Sequence, residues 1–230
     1  MKIIDHRRKE IEDHKELGSD MLTLLITAHT EQTEQIDEEH SKPLTNDQIF
    51  HILIEAIAHY PNVLARLREE LDTIFGSEKN RQITMEDLSK MRYTEAIIKE
   101  CSRLINASKM TQRNSSSPDT MIDREWPANT AFIVYMEGIH HNPIHWKNPL
   151  KFNPDRFMEA DPQKNTFLMF GGGVRICPGR KLALVAIKVL ISLIYRNLDI
   201  SLVDMDAPLK LKNTIVNACS ELNIRVKQRE

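Results

Sequence analysis

Cysteine is scarce in this chain of 230 residues, which has three: Cys101, Cys177 and Cys219. An odd, widely scattered set excludes a disulfide framework and suits a reducing, intracellular compartment. Long apolar runs are also missing. No stretch reaches the roughly 18 residues that a membrane span requires, and the longest, Leu182 to Tyr195, is interrupted by Lys188 and reads as a buried core helix. The opening Met1-Lys2-Ile3-Ile4-Asp5-His6-Arg7 lacks a signal peptide's apolar core. Excess charge of one sign is absent too. A formal net charge of -2 and a pI near 6.5 leave no basic surface to neutralise phosphates, which excludes the nucleic-acid-binding classes. Arg7-Arg8-Lys9 and the basic and acidic cluster at Arg66 to Glu70 read as solvated helix faces. There is no internal repeat. What is present, 41% apolar and 28% charged residues, is ordinary for a globular protein with a real core and argues against disorder. One compact domain over residues 1–230 is expected.

Helical patterning dominates the first half. Met1 to about His29 reads as helix and the acidic, Gln/Glu-rich Thr30 to Pro43 as a loop. Thr45-Asn46-Asp47-Gln48 has the form of a capping box and predicts a helix through about His59. After Pro61, apolar residues at Val63, Leu64, Leu67, Leu71 and Ile74 form one helix stripe, with Gly76 as the stop. Thr84-Met85-Glu86-Asp87 opens a short helix, and a longer one is predicted from about Tyr93 to Ile105. Asn106 to Asn129, rich in Ser, Asn, Asp and Pro, suits small strands, and Ala131 to Met136 is a further strand. The segment His140 to Gln163 carries Pro143, Pro149, Pro154 and Pro162 and is predicted irregular. A helix from about Pro178 to Asn197 and strands at Leu198–Val203 and Leu222–Lys227 complete a mainly α chain with small β-sheets, an α+β class.

One segment carries chemistry. Phe170-Gly171-Gly172-Gly173-Val174-Arg175-Ile176-Cys177-Pro178-Gly179 puts a cysteine in a glycine-rich loop just before the apolar helix. A thiol ligates metal as thiolate, a form favoured by a helix N-terminus and a nearby cation, here Arg175. Consecutive glycines let a backbone turn tightly and approach a flat ligand, where any Cβ would hold it away. A cysteine alone is most often a small buried hydrophobe, the reading that suits Cys101 and Cys219, which lack such companions. Glu100-Cys101-Ser102-Arg103 places a carboxylate and a guanidinium three apart on one helix face, a spacing that alone describes an ordinary solvated pair. His140, His141 and His145 match no zinc spacing with thiolate or carboxylate partners, so a metal reading is rejected there.

Together, FxxGxRxCxG at 170–179, ExxR at Glu100–Arg103 and Phe152-Asn153-Pro154-Asp155-Arg156-Phe157 resemble the haem loop, ExxR helix and FxPxRF motif of the cytochrome P-450 family. The resemblance implies a partial P-450 fold, its haem-thiolate loop preceding a long buried helix. It implies haem b as cofactor and Cys177 as the iron's axial ligand, with Phe170 packed over the sulfur. Arg175 would pair with a haem propionate, and Gly171, Gly173 and Gly179 would admit the porphyrin. Glu100, Arg103 and Arg156 would form a buried ionic triad. Thr111-Gln112-Arg113, Asp119 and Trp126-Pro127-Ala128-Asn129-Thr130 resemble the strand segment that follows, with Arg113 a second propionate ligand; Asn106-Ala107-Ser108 stands where the family commonly has prolines. The His-containing loop at 140–145 has a structural role by the same resemblance.

The implied activity is that of a haem-thiolate monooxygenase, inserting one oxygen atom from O2 into an organic small molecule with electrons from a separate NAD(P)H-dependent reductase. Only the C-terminal portion of a family member is matched. The membrane anchor that eukaryotic relatives use at the endoplasmic reticulum is expected to be absent, as is much of the substrate pocket. The family's distal helix carries an acid and a threonine in a pattern near [AG]GxxTT, and this chain has none at that place: Thr45 to Ala56 runs straight into Ile57-Ala58-His59-Tyr60-Pro61. Thr27-Ala28-His29-Thr30-Glu31-Gln32-Thr33 has suitable residue types but precedes the capping box. No catalytic residue beyond the haem ligand is identified. Two other functions stay open: a non-catalytic haem-binding fragment, and a structural or interaction domain that binds no haem.

Overall fold

The computed structural model describes residues 46–76, 78, 81–206, 210–213 and 217–229, with only the backbone at 46–51, 212, 213, 218 and 220. The helix, loop and capping threonine expected before Asn46 lie outside the described residues. No helix among the described residues is long and apolar enough to cross a membrane.

Four helices open the described chain and build the core together with the last long helix: α1 (Asn46–His59), α2 (Pro61–Phe75), the short α3 (Met85–Lys90) and α4 (Arg92–Leu104). Helix α2 starts with Pro61 in its first turn and stops at Gly76, whose φ of 63 suits glycine and whose N–H donates to the Asp72 carbonyl. Its buried residues Val63, Leu67, Leu71 and Phe75 recur every fourth position, one face of the helix. Burying each such leucine contributes about 1.5–3 kcal/mol. Helix α3 exists because of its ends. The Thr84 hydroxyl accepts from the Asp87 N–H while the Asp87 carboxylate accepts from the Thr84 N–H. Arg81 clamps that carboxylate through two donors at 3.0 and 2.9 Å, which with the Thr84 bonds holds Asp87 well below the usual carboxylate range.

Helix α4 is buried on nearly all sides. Ile97, Ile98 and Cys101 join the core with Leu67, Leu71, Ile191 and Tyr195, while Glu100 and Arg103, equally buried, turn toward the proline-rich segment through the contacts described below. Two antiparallel hairpin-like sheets follow: β1 (Met110–Asn114) pairs with β4 (Ala131–Tyr135), and β2 (Asp119–Met121) with β3 (Arg124–Trp126). The register sets Arg113 opposite Phe132. The proline-rich segment holds only single turns of helix at its margins, α5 (Met136–His140) and α6 (Arg156–Glu159).

The last long helix, α7 (Arg180–Asn197), begins two residues later than the sequence suggests, with Gly179 as its N-cap. Cys177 donates its N–H back to the Phe170 carbonyl, so residues 177–179 stay in the loop and the first helical turn forms only beyond them. Strand β5 (Leu198–Leu202) pairs with β8 (Ile224–Gln228). An unforeseen pair, β6 (Lys210–Asn213) and β7 (Asn217–Glu221), lies between them, with a register shift at Lys210/Leu211. The result is a helical core with four small antiparallel sheets among the described residues.

Candidate functional site

The cysteine loop is held by its own main chain. Gly171 donates to the Leu168 carbonyl at 3.0 Å, Ile176 to Gly173 at 3.2 Å and Cys177 to Phe170 at 2.9 Å, with one 3-10 turn at Gly173–Arg175 between them. Gly171 and Gly173 have φ of 76 and 66, a region that penalises any side chain, and a Cβ at either would meet nothing within 4 Å. A Cβ at Gly179 would lie 3.8 Å from the Cys177 sulfur. The thiol is exposed. Exposed beside it in the sequence are Val174 and Ile176, and Leu182 follows in the first turn of α7. Behind Phe170 and Met169, an apolar cleft of about 120 Å³ is walled by Ile98, Ala183 and Ile187.

These features fit one face of an iron porphyrin. An accessible thiol supplies a soft ligand, open space over two left-handed glycines lets a flat group approach, and uncovered aliphatic side chains provide an apolar surface for it. Arg175 is exposed in the same loop. Arg113 is placed differently: its Nη1 donates to Thr111 Oγ1 and to the Gln112 carbonyl, both at 2.8 Å, so its guanidinium is engaged by its own strand.

The other two cysteines are buried, and burial pushes both thiols up. Alkylation of the haem-free folded chain at mildly alkaline pH, read by intact mass, is therefore expected to add one label at Cys177. Labelling at Cys101 and Cys219 should require denaturant.

The ExxR pair and Arg156 come together. Glu100 Oε2 accepts from Arg103 Nε at 2.8 Å, while Oε1 accepts from Arg103 Nη2 at 2.9 Å, Arg156 Nε at 3.0 Å and the Asn153 N–H at 2.8 Å. Arg103 spends its remaining donors on the carbonyls of His140, Pro149 and Lys151 at 2.9, 2.6 and 3.4 Å. All five N–H groups of that guanidinium thus have acceptors. Arg156 reaches the carbonyls of Lys147, Asn148 and Lys151. Trp146 receives both cations on its ring, at 5.2 and 5.9 Å from the centroid. With no regular ladder of its own, the proline-rich segment is organised by these two arginines, which satisfy its main-chain oxygens.

Sequence reasoning missed how the histidines are used. His141 Nε2 lies 3.0 Å from the Leu104 carbonyl. His140 is fully buried, and its Nε2 accepts the Leu168 N–H at 2.8 Å. No signal in local spacing points to a partner 28 residues away. Burial, then the charge of Arg103, then His141 push His140 down to about 4. An unfolded histidine near 6.5 takes up its proton first as pH falls, so this group's contribution is complete above about pH 6.5 and is lost toward pH 4. The full difference amounts to about 3 kcal/mol. Chemical denaturation at pH 7 and pH 5 is expected to show a lower midpoint at pH 5, with much of the difference removed in His140→Gln.

The chain is similar to known proteins along almost its whole length. The family model described as Cytochrome P450 matches residues 1–227. Cytochrome P450 4A2 of Rattus norvegicus is 26% identical over 245 residues, covering 98% of this chain and 48% of that protein. The 3,9-dihydroxypterocarpan 6A-monooxygenase of Glycine max is 29% identical and the isoflavone 3'-hydroxylase of Medicago truncatula 33%, with 84% and 79% of this chain covered. The chain spans about half the length or less of these relatives. Among solved structures, the heme domain of a cytochrome P450DA mutant superposes with a TM-score of 0.72 at 21% identity, over 80% of this chain and 42% of that one. A match along almost the entire length makes this chain a member of the cytochrome P450 family.

Proposed function

We propose that this chain forms the cysteine-bearing side of a haem-thiolate monooxygenase, with Cys177 as the iron's axial ligand. The observation that carries the reading is the exposed thiol in a loop whose left-handed glycines leave space for a planar group. Haem b, held by the Cys177 thiolate, would supply oxygen activation, to which the thiolate would donate electron density. The chain's own residues do the rest. Gly171 and Gly173 would admit the porphyrin face, Arg175 would pair with a propionate, and Phe170 would pack over the sulfur, which is exposed in the haem-free chain. Arg113 would hold a second propionate only by leaving its contacts to Thr111 and Gln112. The triad of Glu100, Arg103 and Arg156 keeps the proline-rich segment in place under the loop. Two relatives are named as a monooxygenase and a hydroxylase, and the reaction proposed here is of that kind: one atom of O2 enters an organic substrate, with electrons from an NAD(P)H-dependent reductase.

A second reading has one specific observation in its favour. Helix α1, NDQIFHILIEAIAH, contains neither glycine nor threonine, so it lacks the acid-threonine pair that delivers protons in the family. Haem would then bind without turnover. Haem titration followed by steady-state assay with a flavoprotein reductase and NADPH separates the two. A perturbed Soret band with steady substrate oxidation supports the monooxygenase. A perturbed band without oxidation supports the binding fragment, and no perturbation at all removes both.

A further inference from the structure

The ionic triad and the cysteine loop lie on separate stretches of chain, and one residue touches both, through its main chain on one side and its ring on the other. The His140 carbonyl accepts from Arg103 Nη1 at 2.9 Å, and its ring nitrogen Nε2 accepts from the Leu168 N–H at 2.8 Å. Leu168 is where the loop is anchored. Its carbonyl receives the Gly171 N–H, and a Cβ added at Gly172 would come within 3.3 Å of its Cδ2. The neighbouring Phe167 ring stacks at 5.4 Å from the imidazole and 4.9 Å from Phe157. His140 Nδ1 has no hydrogen-bond partner, so the Leu168 contact is the polar anchor of a completely buried ring.

We propose that His140 is a positioning residue for the cysteine loop: its neutral imidazole fixes the Leu168 amide and so couples the Glu100–Arg103 pair to the geometry at Cys177. The proposal rests on the reading of Cys177 as haem ligand. Chemistry dictates the protonation state. An Nε2 that accepts leaves the ring's proton on Nδ1, and a second proton on Nε2 would set N–H against N–H and release Leu168. The charged and titratable groups facing the ring are Arg103 from α4 and His141 from its own turn of chain, both of which oppose that proton, as burial does. Acid release is therefore expected to centre near pH 4, far below an ordinary histidine.

Two measurements on the full chain test this. In the haem-free protein, amide hydrogen exchange at Leu168 is compared among wild type, His140→Leu and His140→Gln, the glutamine oxygen standing near the place of Nε2. Losing the acceptor should lower Leu168 protection by about tenfold or more in the leucine variant, and glutamine should restore it. In the haem-loaded protein, the thiolate form, read from the reduced carbon monoxide spectrum, should decline in acid for wild type. It should be reduced at every pH in His140→Leu, and be restored without the acid transition in His140→Gln. A purely structural role would lower stability without moving that transition. Leu168 exchange unaffected by His140→Leu, or an acid profile in His140→Gln equal to wild type, overturns the proposal. Wild type that takes up no haem overturns the reading of Cys177 instead, with Leu168 exchange still deciding whether His140 holds the loop.

Discussion

Glu100→Gln is expected to destabilise the fold by about 3–5 kcal/mol, because it strands the Arg103 charge in a site with no solvent contact. The carboxylate serves two guanidiniums and one main-chain amide at once. Glutamine keeps the shape but has one oxygen to accept with and two N–H donors facing arginine donors. For a domain of this size the loss corresponds to roughly 6–20 °C in the thermal midpoint. Calorimetry or a urea titration of both proteins measures it directly. A second variant isolates the fork: Arg103→Lys keeps the charge but offers three donors in place of five. At least two of the oxygens on Glu100, His140, Pro149 and Lys151 then lose a partner, each at about 1–3 kcal/mol. Replacing both Glu100 and Arg103 by apolar residues is expected to recover little, since the buried carbonyls of the proline-rich segment would remain unpaired. A difference below about 1 kcal/mol for Glu100→Gln would mean that the pair behaves as a solvated surface bridge.

Cys177→Ser is expected to abolish thiolate ligation while leaving the fold intact. The side chain is exposed, and the loop is held by main-chain bonds that serine preserves, notably the one from residue 177 to the Phe170 carbonyl. Stability should therefore change by less than about 0.5 kcal/mol. A hydroxyl does not ionise near neutral pH, so the strongly red-shifted Soret band of the reduced, carbon monoxide-bound form should vanish. Cys101→Ser and Cys219→Ser place a hydroxyl in buried sites and should act oppositely, costing stability and leaving the band in position.

Much of this was legible locally. Pro61, Gly76 and the Thr84/Asp87 exchange are signals read from neighbouring residues, and the helices they delimit stand where those residues imply. The pairing of β6 with β7 was not legible, because Lys210–Asn213 and Asn217–Glu221 are short, mostly polar and without strict alternation. The start of α7 was misplaced because proline favours a first helical turn, whereas the backbone bond from Cys177 to Phe170, seven residues back, keeps Pro178 in the loop.

For the site, spacing alone described Glu100 and Arg103 as an ordinary surface pair. What buries them is the set of carbonyls at His140, Pro149 and Lys151, about 40 residues on. The family resemblance supplied what spacing did not, namely that Arg156 closes the group. The bond from Leu168 to His140 had no sequence signal at all, since a histidine that accepts a distant amide leaves no periodicity behind. Arg113 illustrates the reverse. Its assignment comes from resemblance, while its contacts here are to Thr111 and Gln112.

X-ray absorption at the iron edge of the haem-loaded chain reads the nature of the axial neighbour most directly. Sulfur bound to iron in the wild-type protein, and lost in Cys177→Ser, is the predicted result. An iron surrounded by nitrogen and oxygen alone, with the same spectrum in both proteins, would contradict it.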